Sequence, residues 1–84
     1  MTEAEALASM SRILGELLGD ASIALTPETR RQDVPDWDSL NYVNFIVAIE
    51  IHFGIKFRVS EVESFETIGQ IVARTLGLLA VRRS

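Results

Sequence analysis

Asp38-Ser39-Leu40-Asn41-Tyr42-Val43-Asn44-Phe45-Ile46-Val47-Ala48-Ile49-Glu50-Ile51-His52-Phe53-Gly54 reads as one helix with two apolar faces. Placing residues at 100° per step puts Tyr42, Phe45, Ile46, Ile49 and Phe53 on one face. Leu40, Val43, Val47 and Ile51 form another, with Asn44 and Glu50 at its margins. Asp38 is a good N-cap, with Ser39 the competing choice, and Gly54 supplies a left-handed C-terminal residue. A helix that is apolar on nearly every side is either buried or docks a partner. The aromatic face reads as core and the Leu40/Val47/Ile51 face as a candidate docking surface. The plainer alternative is that the rest of the chain surrounds the helix.

Upstream, Leu7, Met10, Leu14 and Leu17 fall on one helical stripe, so a first helix is expected from Thr2 or Glu3 to Leu18, stopping at Gly19-Asp20. A loop from about Gly19 to Asp38 follows, carrying Pro27 and Pro35 and the acids Glu28, Asp33, Asp36 and Asp38. Loops of this length are often functional. Ile23 and Leu25 are expected to pin it to the core. Downstream, Ile55 to Val59 reads as extended, and Ser60-Glu61-Val62-Glu63 as a helical turn capped by serine. A last helix is expected from Glu66 to Leu79, with Ile68, Ile71, Val72, Thr75, Leu76 and Leu79 on one face. Phe57 and Val59 are expected to plug the core. The fold class is all-α: a small antiparallel bundle of three main helices plus one short helix, with a long loop between helices one and two. Residues 1–84 make a single domain.

The 84 residues leave no room for a separate substrate domain. The net charge is −4, and Lys56 is the only lysine, so there is no basic stripe for a nucleic acid. Arg82-Arg83 reads as a complement to the last helix dipole. No stretch approaches a membrane span, and the acidic start, Met1-Thr2-Glu3-Ala4-Glu5, is not a signal peptide. With no cysteine the protein has no disulfide and no thiolate of its own. Cytoplasm is the default compartment.

Ser39, His52 and the aspartates invite a hydrolase reading, which geometry opposes. Ser39 and His52 lie 13 residues apart on one helix, about 20 Å along its axis. A nucleophile and its base must come within about 3 Å. There is no Gly-x-Ser-x-Gly elbow and no second histidine. A calcium loop fails on spacing: counted from Asp36, the glycine position holds Asn41 and the glutamate position Val47. No metal site is expected. Ser39 itself has two open readings. It is either part of a helix cap or an attachment point for a phosphate-linked group, which a helix N-terminus accommodates. Trp37 likewise either packs under the loop against this helix, or shields what Ser39 carries or contacts a partner.

Asp38-Ser39-Leu40 at the head of an apolar helix resembles the prosthetic-group site of acyl carrier proteins. Glu50-Ile51-His52-Phe53-Gly54-Ile55-Lys56-Phe57 is similar to the family's ending of that helix, and Phe65-Glu66-Thr67-Ile68-Gly69-Gln70-Ile71-Val72 to the start of its last helix. The resemblance covers essentially the whole chain. It implies a non-catalytic shuttle that carries acyl intermediates as thioesters on 4′-phosphopantetheine attached to Ser39. A phosphopantetheinyl transferase would load the arm, Asp38 would help place the transferase's Mg²⁺, and Leu40 would pack against partner enzymes. Acyl-activating, synthase or acyltransferase enzymes are the further partners implied, with the carrier itself a monomer. Leu40, Val43, Asn44, Val47, Glu50 and Ile51 are the expected partner-binding residues. An acyl chain could lie between the helices against Phe45, Ile49, Ile68 and Ile71.

Asn41, Asn44 and Ile51 stand where the carriers of fatty-acid synthesis commonly have acids, and Arg58 adds a cation near a usually acidic end. The departures favour a specialised stand-alone carrier, of polyketide or other secondary metabolism or of lipid modification, over the housekeeping one. A peptidyl or aminoacyl carrier is the nearest alternative. An unmodified helical interaction module of the same fold is the alternative of a different class.

Overall fold

The computed structural model describes residues 1–82. It contains four α-helices: α1 Glu3–Leu18, α2 Ser39–Phe53, α3 Val59–Ser64 and α4 Ile68–Arg82. No strand occurs among the described residues. Arg83 and the side chain of Arg82 lie outside what is described, and with them the Arg82-Arg83 expectation.

Each long helix starts and stops for a local chemical reason. Thr2 caps α1: its Oγ1 accepts from the Glu5 N–H at 3.1 Å, and Glu5 Oε1 accepts from the Thr2 N–H at 2.8 Å. That reciprocal bond holds the Glu5 carboxyl below the usual carboxylate range. Gly54 closes α2 at φ 67, in the left-handed region where a Cβ is disfavoured. The start of α4 falls two residues later than expected. Thr67 Oγ1 accepts from the Gln70 N–H, and Gln70 Oε1 accepts from the N–H groups of Glu66 and Thr67. The Thr-x-x-Gln box therefore fixes Ile68 as the first helical residue.

The core gathers Met10 and Leu14 of α1, Phe45 and Ile49 of α2, and Ile68, Val72 and Thr75 of α4, all fully buried. Thr75 satisfies its hydroxyl by donating to the Ile71 carbonyl at 2.8 Å. The buried stripe of α1 runs through Ala6, Met10 and Leu14, while Leu7 is half-buried and Leu17 exposed. The expected stripe was thus rotated slightly outward. An i, i+4 row, rather than the i, i+3 steps between leucines, faces the other helices.

Two expectations around α3 need correction. The helix begins at Val59, not after Ser60, because Glu61 Oε1 accepts from the Arg58 N–H at 2.9 Å. That bond is the main cause of the lowered Glu61 pKa, and Arg74, which is ion-paired with Glu61, adds to it. Val59 does not plug the core; it is 74% exposed. Phe57 does, packed edge-on against Phe65 at 5.4 Å between centroids.

The long loop is tied down at several points. Leu25 is buried and Ile23 half-buried, as expected. The Leu25 N–H donates to Ser11 Oγ on α1. At its middle, the carbonyls of Thr29 and Pro27 accept from the N–H groups of Ile68 and Gly69 at 2.9 and 2.8 Å. The loop thus caps the first turn of α4. Gly69 is required by this approach, since a Cβ there would stand 2.8 Å from the Pro27 carbonyl oxygen. Arg31–Asp33 then makes a 3-10 turn and delivers the chain to Trp37 and the head of α2.

Candidate functional site

Asp38 is the N-cap of α2: its Oδ1 accepts from the Asn41 N–H at 2.9 Å, and its carbonyl from the Tyr42 N–H at 2.9 Å. Ser39 is therefore the first helical residue, and its side chain is exposed. The first N–H groups of a helix have no intrahelical acceptor. Asp38 takes the one at Asn41, which leaves those of Ser39 and Leu40 facing the solvent end beside the Ser39 hydroxyl. Two free donors and the positive end of a helix dipole form a setting suited to a phosphate ester on Ser39 Oγ.

The turn before Ser39 is held from both sides. Asp36 adopts φ 68, the one non-glycine residue among those described with a positive φ. Its carbonyl accepts from Asn41 Nδ2 at 3.2 Å, closing the turn onto the first turn of α2. Trp37 is buried, edge-on to Phe45 at 5.1 Å and tilted against Tyr42 at 6.2 Å. The packing role expected for it is seen. Its Nε1, however, is buried without a hydrogen-bond partner within the protein.

α2 presents its two faces as the pattern indicates. Phe45, Ile46, Ile49 and Phe53 are buried and Tyr42 half-buried, whereas Leu40, Val43, Val47 and Ile51 are 69, 52, 46 and 78% exposed. Asn44 is exposed between them. Glu50 is turned inward: its Oε2 accepts from the Phe57 N–H at 2.8 Å and pins the link between α2 and α3. Next to Ile51 the face runs into a groove of about 410 Å³ lined by Ile13, Leu17, Ala48 and His52. His52 lies at the far end of α2 from Ser39. Among the described residues no group of three or more histidines, cysteines or carboxylates could hold a metal ion.

Phe45, Ile49, Ile68 and Ile71 come together in the interior, each nearly or fully buried. Phe45 and Ile49 are closed over. Ile68 and Ile71 also border a narrow cleft of about 20 Å³ shared with Trp37, Tyr42 and Arg31, room for about one water. The Arg31 guanidinium lies 5.5 Å from the Tyr42 ring centre at this cleft. Sequence reasoning did not find Arg31, nor the Glu61–Arg74 pair. No periodicity marks either, since each pair joins elements far apart in the chain.

Comparison with known proteins agrees with this architecture. Residues 9–75 match the family model described as the phosphopantetheine attachment site. The acyl carrier protein of Saccharopolyspora erythraea is 30% identical over 80 residues, covering 95% of this chain and 84% of that protein. The acyl carrier protein of Acidothermus cellulolyticus is 32% identical over 72 residues, covering 86% of each. A meromycolate extension acyl carrier protein of Mycolicibacterium smegmatis is 32% identical, over 86% of this chain and 73% of that one. Among solved structures, the holo acyl carrier protein of Geobacter metallireducens superposes with a TM-score of 0.84 at 34% identity, over 92% of this chain and 88% of that chain. With the matched region running from α1 into α4 and enclosing the exposed serine at the head of α2, the chain belongs to the acyl carrier proteins, whose prosthetic group is 4′-phosphopantetheine.

Proposed function

We propose that Ser39 is the attachment residue, and that this protein shuttles acyl groups between enzymes without catalysing a reaction itself. The observation that carries the reading is the exposed Ser39 hydroxyl at the first position of α2, beside two uncommitted backbone N–H groups. In loading, the Ser39 hydroxyl would form an Oγ–P bond, lose its proton, and displace the adenosine bisphosphate half of coenzyme A. The attached arm supplies the thiol that this cysteine-free chain lacks and carries the acyl group as a thioester. Asp38 holds the helix head in shape and offers a carboxylate to the transferase's Mg²⁺. Leu40, Val43, Asn44, Val47 and Ile51 form the docking face for the transferase and for acyl-activating, synthase or acyltransferase enzymes. Glu50 supports that face from behind.

The absence of catalysis by the carrier is supported by the placement of its chemistry. Ser39 and His52 occupy opposite ends of α2, so the chain's one histidine does not reach the hydroxyl. A monomer suits the work, because one arm must reach several active sites. The cytoplasm, which supplies coenzyme A, is the compartment we assign. The apolar docking face favours a specialised pathway over housekeeping fatty-acid synthesis. A carried chain would enter the interior past Ile68 and Ile71, with Phe45 and Ile49 parting to lengthen the cleft.

Incubation with coenzyme A, Mg²⁺ and a broad-specificity phosphopantetheinyl transferase, followed by intact mass, tests the reading. The wild type should gain one phosphopantetheine and Ser39→Ala none. A folded wild type that gains nothing with several transferases would instead be an unmodified interaction module.

A further inference from the structure

Trp37 has an indole that is 5% exposed, and its Nε1 has no partner. An indole N–H can only donate, so what it lacks is an acceptor. The ring is held by Phe45 and Tyr42 and cannot easily turn to find one within the protein. It stands two residues before Ser39 and lines the narrow cleft together with the apolar Ile68 and Ile71. Tyr42, half-buried, also lines it, with exposed Arg31 at its mouth.

We propose that Trp37 Nε1 is the hydrogen-bond donor for an oxygen on the acyl chain carried by Ser39, so that the cleft favours acyl chains oxygenated beyond the thioester, such as 3-oxoacyl chains, over saturated ones. This rests on the reading of Ser39 as the attachment residue. A saturated chain entering the cleft buries apolar surface on Ile68 and Ile71 but leaves the indole N–H as unpaired as before. A chain with a carbonyl gains the same apolar contact and also satisfies the donor. The thioester carbonyl is common to every cargo and cannot discriminate. The difference between the two chains is therefore one hydrogen bond, worth about fivefold in the population of the inserted state.

The chain has a single tryptophan, so its indole N–H gives one resonance. The full-length protein is loaded from hexanoyl- and 3-oxohexanoyl-coenzyme A by the transferase, with the holo form as reference. In the 3-oxohexanoyl form the indole proton should move downfield and exchange more slowly than in the hexanoyl form. In both forms the Ile68 and Ile71 methyl groups should shift. Trp37→Phe, which keeps an aromatic ring but removes the donor, should speed thioester hydrolysis of the 3-oxohexanoyl form about fivefold relative to its effect on the hexanoyl form. Equal indole shifts for the two cargoes, or isoleucine shifts with a motionless indole proton, would overturn the proposal while leaving the carrier intact. Loading with neither response would overturn it by showing that the chain stays outside. Failure of Ser39 to load would remove the carrier reading, and this proposal with it.

Discussion

Tyr42 Oη donates to the Val62 carbonyl at 2.6 Å, joining the first turns of α2 to α3 across a separation of 20 residues. The bond places the short helix against the half-buried flank of α2, next to the cleft. Tyr42→Phe should leave the Val62 carbonyl without its donor and destabilise the fold by about 1 kcal/mol in urea unfolding. Burial pushes the Tyr42 phenol up from its ordinary value, and Arg31 opposes that only in part. A group with a raised folded pKa contributes stability that is complete below its unfolded pKa, about 10, and lost as pH rises through the folded one. The wild type should therefore lose stability above about pH 10, and Tyr42→Phe should remove that part of the loss. An identical alkaline profile in both proteins would show that the Tyr42 phenol is not the group behind the loss.

Asp36 is the second place where the site departs from local preference. Its φ of 68 lies in the left-handed region, and its carbonyl is held by Asn41 Nδ2. Aspartate tolerates this conformation better than most residues, and glycine better still. Asp36→Ala should cost about 1 kcal/mol, whereas Asp36→Gly should fall within about 0.5 kcal/mol of the wild type, because relief of strain is offset by a freer unfolded chain. Thermal unfolding of the pair provides the check. Equal losses for both would mean that the carboxylate, not the backbone, matters at this turn.

The four elements were legible because their signals are local. The apolar faces of α2, the caps at Asp38 and Gly54 and the candidate serine can all be read within one helix length. What was missed is held by contacts distant in sequence or by backbone donors. Ser60 looked like a cap because it has a hydroxyl, yet α3 starts one residue before it through the Glu61 carboxylate. Glu50 looked like part of the docking face because of its angle on the helical wheel, yet its carboxylate turns to the Phe57 N–H. Gly69 gave no sign of its importance, since the atom that excludes a side chain there belongs to Pro27. The orphan donor of Trp37 is a property of packing and could not be read from the sequence.

Asp38 has two duties that substitution can separate. Asp38→Ala removes the side-chain acceptor of the Asn41 N–H and should cost about 1 kcal/mol of stability. Asp38→Asn keeps an oxygen for the cap and should unfold close to the wild type. It removes the negative charge, however, and should slow transferase loading of Ser39 on the order of tenfold, the scale for weakening a metal's surroundings. Stability by chemical denaturation and loading rate by intact mass are measured on the same samples. Loading by Asp38→Asn at the wild-type rate would confine Asp38 to the cap.

Ile51 tests whether the exposed face of α2 docks by apolar contact. It is among the most exposed large apolar residues described, yet it borders the groove formed with Ile13 and Leu17. Because it buries little in the free protein, Ile51→Ala should change stability by no more than about 0.5 kcal/mol. A residue that fills a partner's pocket costs more than about 1 kcal/mol when truncated, so the transferase KM should rise at least about fivefold in Ile51→Ala, with Val47→Ala showing the same trend. The carboxylates near this face are already paired: Glu50 accepts from the Phe57 N–H, Glu16 at the groove sits beside Arg12, and Asn44 is neutral. Raising the salt concentration should therefore change that KM little, since screening acts on charge pairs and not on apolar burial. A KM that climbs steeply with salt and is indifferent to Ile51→Ala would transfer the docking role to the acids of the loop, Asp33, Asp36 and Asp38.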